Sequence, residues 1–461
     1  MRSNEFLSWM CVLAMALAGK GSPGKDPLVG SWSGSAVFQG SRLDFSVRLH
    51  REDRPPGAGA LKATMSSPDL LLLDQPLENV SADGRQVRFT TPDESPLRFE
   101  GTLAGDSLRG TASVPSVPGV VGKWQAGTPM RFALGRAAPS TAPPYTTREV
   151  SFTNGAVRLA GTLFVPSGSA GPRAGVVLLQ GSSSNLRREY RFYADHFARA
   201  GLFVLTFDKR GKGESTGDYG EATYDVLADD AAAAVECLRR QGGVDPARVG
   251  VWGLSQGAFI APLVAARVPA LRFIVAVSAP GTPIGESAAY QDSIRLSSGG
   301  FDAADIVRAL SLNRRLVEWL RTGEGKAELG ALLAEAADTP WRRASSLPAR
   351  LPSGPALEGW YWRGRMLDPA PWWRAVHVPV LAVYGAADEL VPAKKSASRI
   401  ERELKRAKNP DVTVRVFPAA NHVLRTLPLV AGGKWDWPRA APGYMDLVTG
   451  WMREHVEPAS P

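Results

Sequence analysis

The chain has 461 residues, 44% of them hydrophobic and 21% charged, with a formal charge of +9. That length exceeds one ordinary core and points to two domains, while the apolar content excludes a disordered chain. The basic residues are dispersed and interleaved with acids, as across 401–408, which reads as a solvated surface and sets nucleic acid aside as a partner.

At the amino terminus Arg2 precedes a largely apolar run from Phe6 to Ala18, and Ala16-Leu17-Ala18 before Gly19 fits a small-x-small cleavage pattern. The run is too short to span a bilayer, and Lys20 follows it almost at once, so no stable membrane span is expected. We expect residues 1–18 to be a signal peptide cleaved near Ala18, with export to the periplasm or beyond. Bulky Trp9 and Met10 before Cys11 do not suit a lipoprotein site. After cleavage Cys237 is the one remaining cysteine, expected as a core thiol in an Ala-rich helix.

From 26 to 136 the pattern is all-β. Leu43, Phe45, Val47 and Leu49 alternate with polar residues, as do Val87 with Phe89 and Leu97 with Phe99, and turn signals such as Ala82-Asp83-Gly84-Arg85 and Ala104-Gly105-Asp106 separate the runs. The opening Gly30-Ser31-Trp32-Ser33-Gly34 is similar to the start of lipocalin-like barrels. A small barrel-like domain is therefore expected, either holding an apolar group or packed solid as a structural or dimerising module. Residues 137–146, with Pro139, Pro143 and Pro144, read as an extended linker.

Residues 147–458 read as an α/β domain. Arg148–Thr153 and Val157–Val165 flank Asn154-Gly155, a type I′ hairpin signal. Strands at Val176–Leu179, Phe203–Phe207, Val249–Trp252 and Phe273–Ser278 then alternate with helices near Glu189–Ala200, Tyr224–Arg240 and Gly257–Arg267, which implies a mostly parallel sheet with right-handed crossovers. Between Ser278 and Val378 this alternation stops. Helical signals at Ala303–Arg321 and Lys326–Ala337 precede an aromatic run containing Trp341, Trp360, Tyr361, Trp362, Trp372 and Trp373.

The chemistry begins at Gly253-Leu254-Ser255-Gln256-Gly257, behind the strand and ahead of the helix. A strand that reverses sharply into a helix holds its turning residue in a strained conformation, which pushes the Ser255 hydroxyl out above the sheet edge. A serine hydroxyl needs a base and an orienting acid. The apolar run Val378–Tyr384 leads to Asp388, with Glu389 as its neighbouring competitor, and Val412–Phe417 leads through Asn421 to His422. Of the five histidines, His422 alone sits on a loop after a strand that follows the acid. The expected catalytic set is Ser255, Asp388 and His422.

With these motifs in order, the stretch from about Arg148 to His455 resembles an α/β-hydrolase, close to the bacterial group related to dienelactone hydrolases and acylaminoacyl peptidases. Asp208-Lys209-Arg210-Gly211-Lys212-Gly213-Glu214-Ser215 matches that group's D-x-R-G-x-G-x-S loop, and Asn421-His422 resembles its Asn-His pair. Gln180 stands where the group usually has His, ahead of Gly181-Ser182. The resemblance implies an oxyanion hole from the amides of Gln256 and Ser182, although Ser182 to Ser184 also read as a plain polar turn. It implies an architectural role for the Asp208 to Ser215 loop. It also implies a helical cap over about 284–372, whose Trp360, Trp362 and Trp372 either line the substrate pocket or pack the cap's own core. The function it implies is a serine hydrolase cleaving esters or thioesters of a small acyl substrate, with a peptidase of the acylaminoacyl or prolyl oligopeptidase type as the alternative. No cofactor is expected. No metal is expected either, since H-E-x-x-H and paired C-x-x-C motifs are absent from the sequence. Oligomeric state is not legible.

Overall fold

A computed structural model describes residues 26–38, 40–52, 59–92, 97–113, 129–138, 142–168, 171–183, 186–426 and 437–456. The expected signal peptide and the middle of the linker lie outside these residues.

The first sheet is antiparallel and comprises β1 (Gly30–Phe38), β2 (Ser41–Arg51), β3 (Leu61–Ser67), β4 (Leu72–Pro76), β5 (Glu78–Asp83), β6 (Gln86–Thr90), β7 (Arg98–Ala104), β8 (Ser107–Ser113) and β9 (Met130–Arg136). Its order is β4-β3-β2-β1-β9-β8-β7-β6-β5, so the two ends of the sheet are consecutive strands. Leu77 N donates to Ala63 O at 2.9 Å near the seam, and the sheet is nearly closed. Period-two alternation explains why it closes: Leu43, Phe45, Val47 and Leu49 all point inward. Side chains fill that interior, with Trp32 buried and the Phe89 and Phe99 rings stacked at 4.9 Å.

The second sheet comprises β10 (Tyr145–Asn154), β11 (Val157–Pro166), β12 (Arg173–Leu179), β13 (Phe203–Phe207), β14 (Val244–Leu254), β15 (Ile274–Val277), β16 (Val380–Gly385) and β17 (Val412–Phe417). Its order is β10-β11-β13-β12-β14-β15-β16-β17, and every neighbouring pair from β13 to β17 is parallel. The β10–β11 hairpin pairs Asn154 with Val157 and turns at Gly155 and Ala156; Gly155 has φ +56° and Ala156 is not at positive φ, so glycine at the first central position makes a II′ turn in place of the expected I′. Strands buried on both faces need continuous apolar runs, and Val176 to Leu179 show why. Val177 and Leu179 face one core with α2 (Tyr224–Arg239), α3 (Gln256–Arg267) and α7 (Ala393–Arg406), whereas Val176 and Leu178 face another with α1 (Arg191–Arg199) and α8 (Tyr444–Val456).

The expected cap is helical. It contains α4 (Ile284–Ser298), α5 (Ala303–Thr322) and α6 (Lys326–Ala336), followed by short turns. Asp302 caps α5 by accepting from Asp305 N at 2.7 Å, and Gly323 ends it in the left-handed conformation. Leu296, Leu312, Leu316, Trp319, Leu333 and Trp341 give this insertion its own core.

The two domains exchange side chains. Leu71, beside β4, belongs to the buried core of the second domain that includes Tyr145, Tyr190 and Tyr193, and Trp437 of the second domain is buried in the core of the first. Arg191 Nε pairs with Asp74 at 3.2 Å, and Ala440 N donates to Asp69 O at 2.7 Å.

Candidate active site

Four loops meet at the carboxyl edge of the parallel sheet, after β12, β14, β16 and β17, the position at which wound sheets present their ligand sites. Ser255 follows β14 directly with φ 54° and ψ −111°, a strained conformation for a residue with a side chain. Space forces its neighbours to be glycine. A Cβ on Gly257 would stand 2.1 Å from Leu179 O, and one on Gly253 2.5 Å from the Gly257 carbonyl carbon. The elbow is thereby pressed against the end of β12, and Ser255 N is held by Val277 O at 2.9 Å.

Asp388 and His422 meet in a buried pair. His422 Nδ1 lies 3.0 and 2.9 Å from the two Asp388 oxygens, with Asp388 1% and His422 5% exposed. Asp388 Oδ1 also accepts from Leu390 N and Val391 N, both at 2.8 Å, so the carboxylate is oriented before any substrate arrives. With a carboxylate on Nδ1, that nitrogen carries the proton and Nε2 presents its lone pair. The His422 carbonyl accepts from Ser278 Oγ at 2.7 Å, which ties the loop back to β15. A Cβ on Gly385 would stand 2.2 Å from Ala420 O, so the acid-bearing loop and the histidine-bearing loop are in backbone contact. No hydrogen bond joins Ser255 to His422 among the described residues, and bonds of this kind often tighten only when substrate is present.

The other acid and two of the other histidines, His196 and His455, are occupied differently. Glu389 makes no bond to the imidazole, and burial beside Asp388 raises its carboxyl above the ordinary range. His196 Nε2 meets Thr449 Oγ1 at 2.9 Å, and His455 Nε2 meets Asp411 at 2.8 Å.

The amides of Gln256 and Ser182 have no hydrogen-bond acceptor among the described residues, and both residues line the same cavity as Ser255. Gln180, which replaces the usual His, turns its side-chain nitrogen onto Phe207 O at 2.5 Å and so braces the loop against β13. Gly181 N donates to Tyr190 Oη at 2.8 Å.

Lys209, within the loop whose sequence reads as architectural, is also part of this site. Its Nζ donates to Gly181 O at 2.5 Å and to Gln256 Oε1 at 2.8 Å, and sits 4.7 Å from the centre of the Tyr219 ring. Tyr219 Oη donates to the same Gln256 oxygen at 2.8 Å. Burial pulls the Lys209 ammonium down to about 7, with Glu189 opposing and Lys212 adding to the fall. Nothing in the residue pattern marked this lysine, because its partners come from distant segments. Its neighbours behave as the family loop implies: Asp208 binds the Arg187 guanidinium and accepts from Arg187 N, and Arg210 grips Asp230 with two bonds of 2.7 Å.

Above Ser255 lies a cavity of about 580 Å³, walled on the cap side by Trp360, Tyr361 and Trp362. Trp372 is not among its lining residues; its ring packs edge-on against Phe259 at 5.1 Å. Trp341 belongs to the cap's own core. No cluster of His, Cys, Asp and Glu able to hold a metal ion occurs among the described residues.

An elbow serine at positive φ, a parallel sheet with one antiparallel hairpin on its flank and a helical insertion before the acid-bearing strand together define an α/β-hydrolase. The match to known families is narrower. The chain belongs to the X-Pro dipeptidyl-peptidase (S15) family, which it matches over residues 154–423.

Individual relatives are distant. An uncharacterised protein of Mycobacterium tuberculosis is 38% identical over 118 residues, 25% of this chain and 40% of that protein. A thiohydrolase of Aspergillus aculeatus is 34% identical over 111 residues, 23% of this chain and 33% of that protein. The alignments span 23% to 40% of the length of the first curated relatives it matches. Among solved structures, an esterase of Pyrococcus furiosus covers 69% of this chain and 95% of its own at 20% identity and a TM-score of 0.43. A thermophilic esterase of Thermogutta terrifontis covers 67% and 100% at 18% identity and a TM-score of 0.40.

Proposed function

We propose that this α/β-hydrolase cleaves ester or thioester bonds of a small acyl substrate with Ser255, His422 and Asp388 as its catalytic residues. His422 Nε2 takes the proton of Ser255 Oγ as the oxygen attacks the carbonyl carbon, and Asp388 orients the imidazole and stabilises the cation that forms. The carbonyl oxygen gathers negative charge and is received by the amides of Gln256 and Ser182. The His422 cation returns its proton to the departing alcohol or thiol, leaving an acyl-enzyme. Water, deprotonated by His422, attacks this ester and releases the acid and free Ser255. Protein groups supply every proton transfer, so the scheme uses no cofactor.

The observation that carries this reading is the buried Asp388–His422 pair at the same sheet edge as a serine held at positive φ. The thiohydrolase relative supports thioesters among the substrates. A second reading, cleavage of short peptides, is favoured by the family match itself. Residues 1–18 remain our proposal for a leader that exports the enzyme.

Labelling with a fluorophosphonate tests the nucleophile: one adduct on Ser255 is expected, and labelling that persists in Ser255→Ala overturns the assignment. Parallel assays on short acyl esters, acyl thioesters and Xaa-Pro amides decide between the two readings. Faster turnover of the amides at matched acyl groups would install the peptidase.

A further inference from the structure

The cavity over Ser255 is positively charged on the cap side. Among its described lining residues are two arginines, Arg295 and Arg365, and no Asp, Glu or Lys. Resting on the serine-hydrolase reading, we propose that Arg365, with Arg295 on the wall of the same cavity, binds a carboxylate carried by the substrate away from the bond that is cleaved.

Arg365 is 3% exposed and has no ion pair among the described residues. Its Nη2 makes one long bond of 3.3 Å to Ser346 O, and its Nη1 is sealed from solvent without a hydrogen-bond partner. The guanidinium carbon lies 5.4 Å from the Tyr361 ring centre and 5.1 Å from that of Trp362, so aromatic rings give it its principal contacts. Burying a cation this way is costly unless an anion completes the site.

The nearby acid does not serve. Asp292 is fully buried, and its oxygens are taken by Ser346 N at 2.7 Å, Ser346 Oγ at 2.8 Å and Asn313 Nδ2 at 3.2 Å, with Arg295 Nη1 3.7 Å away. One negative charge therefore faces Arg295, and the charge of Arg365 stands over. A guanidinium is a planar fork that matches a carboxylate through two parallel bonds, which phenolic and indole faces do not offer it. The volume of about 580 Å³ is ample for a short chain with a carboxylate at its far end.

The test uses the full chain and two matched pairs of esters. The first pair is 4-nitrophenyl hexanoate and mono-4-nitrophenyl adipate, which differ by a terminal carboxylate on the acyl side. The second is phenyl hexanoate and 4-(hexanoyloxy)benzoate, which differ by one on the leaving group. In one of the pairs the charged ester is expected to have the higher kcat/KM, and the ratio of charged to neutral kcat/KM is expected to fall about 10- to 100-fold in Arg365→Met. Arg365→Lys, which keeps the charge but loses the fork, should retain an intermediate ratio. A ratio at or below one in both pairs, or a ratio that Arg365→Met leaves unchanged, overturns the proposal.

Because Arg365→Met risks the fold of the cap, binding of adipate itself supplies a second readout. Adipate is expected to raise the melting temperature of the unsubstituted protein and to do so less in Arg365→Lys. If no ester is hydrolysed, the serine-hydrolase reading fails while adipate binding still decides the role of Arg365. Hydrolysis of the neutral esters without charge selectivity and without adipate binding sinks the carboxylate site alone.

Discussion

Lys209 Nζ donates to the side-chain oxygen of Gln256 at 2.8 Å, joining the loop after β13 to the residue that follows Ser255. Its second bond, to Gly181 O, holds the loop that carries Ser182. One buried cation thus spans the two segments whose amides we assign to the oxyanion. Replacing it by Met should lower kcat on a neutral ester about 10- to 100-fold with little change in KM, since misplaced donors lose transition-state stabilisation rather than ground-state binding. An unchanged kcat per active site, counted by fluorophosphonate titration, would assign Lys209 to general stability instead.

The same residue sets a pH dependence of stability. Its folded value of about 7 lies below the ordinary lysine value of 10.5, so between these limits the unfolded chain binds more protons than the folded one. Stability contributed through Lys209 therefore rises with pH from about 7 to about 10, and below 7 the folded state carries the full penalty of a buried charge. Comparing the unfolding midpoints of the unsubstituted protein and Lys209→Met across this range isolates the effect. The difference should move in favour of the unsubstituted protein as pH rises, and a flat difference would remove the titration from the folding equilibrium.

Asp388 and Glu389 are adjacent, yet only Asp388 contacts the imidazole. Asp388→Asn keeps the size of the side chain but withdraws the charge and invites the wrong imidazole tautomer, so kcat should fall about 10³- to 10⁴-fold. Glu389→Gln should stay within about threefold of the unsubstituted enzyme, because burial already disfavours the Glu389 charge. Initial rates on one ester for the three proteins check this, and a larger loss at Glu389 would exchange the two roles.

The residues of this site differ in how legible they are. Ser255 was marked by local features: an apolar strand, two glycines and a helix-forming stretch within one short segment. Asp388 and His422 needed only the additional rule that strand ends gather at one edge of a parallel sheet. The all-β character of 26–136 was equally visible, because alternation such as Leu43, Phe45, Val47 and Leu49 is a period that only a strand uses. Lys209 and Arg365 were not marked, since a buried cation is defined by neighbours from several segments and leaves no period behind. The tryptophans show the same limit. Trp360, Trp362 and Trp372 share composition and spacing with Trp341 and Trp373, but backbone turns in the cap decide which of them reach the cavity.

Gly385 sits where β16 hands over to the acid-bearing loop, and a Cβ there would stand 2.2 Å from Ala420 O and 2.3 Å from Asn421 O. Both obstacles are backbone, which has no rotamer to move. Gly385→Ala must therefore push the His422 loop away from Asp388, at a cost of about 3 kcal/mol. Denaturant unfolding should show the loss of stability, and any protein that remains folded should show a lowered kcat. Retention of both would mean that the two loops separate without penalty.

Trp437 and Leu71 make the two domains interdependent, since each is buried in the core of the other domain. Trp437 is 5% exposed, and its indole nitrogen donates to Ser41 O at 3.3 Å. Trp437→Ala should destabilise the β-domain by about 3–5 kcal/mol through the void it leaves. A chain beginning at Thr146 would lose Leu71 from the second domain's core and expose Trp437 to water, so it should melt at a lower temperature and self-associate. Its kcat on a short ester should survive at low temperature, because Ser255, Asp388, His422 and Lys209 all lie after residue 146. A truncated chain as stable as the full one would show that the exchanged side chains contribute nothing to the fold, and loss of all activity in a folded truncation would place part of the site's support in the β-domain.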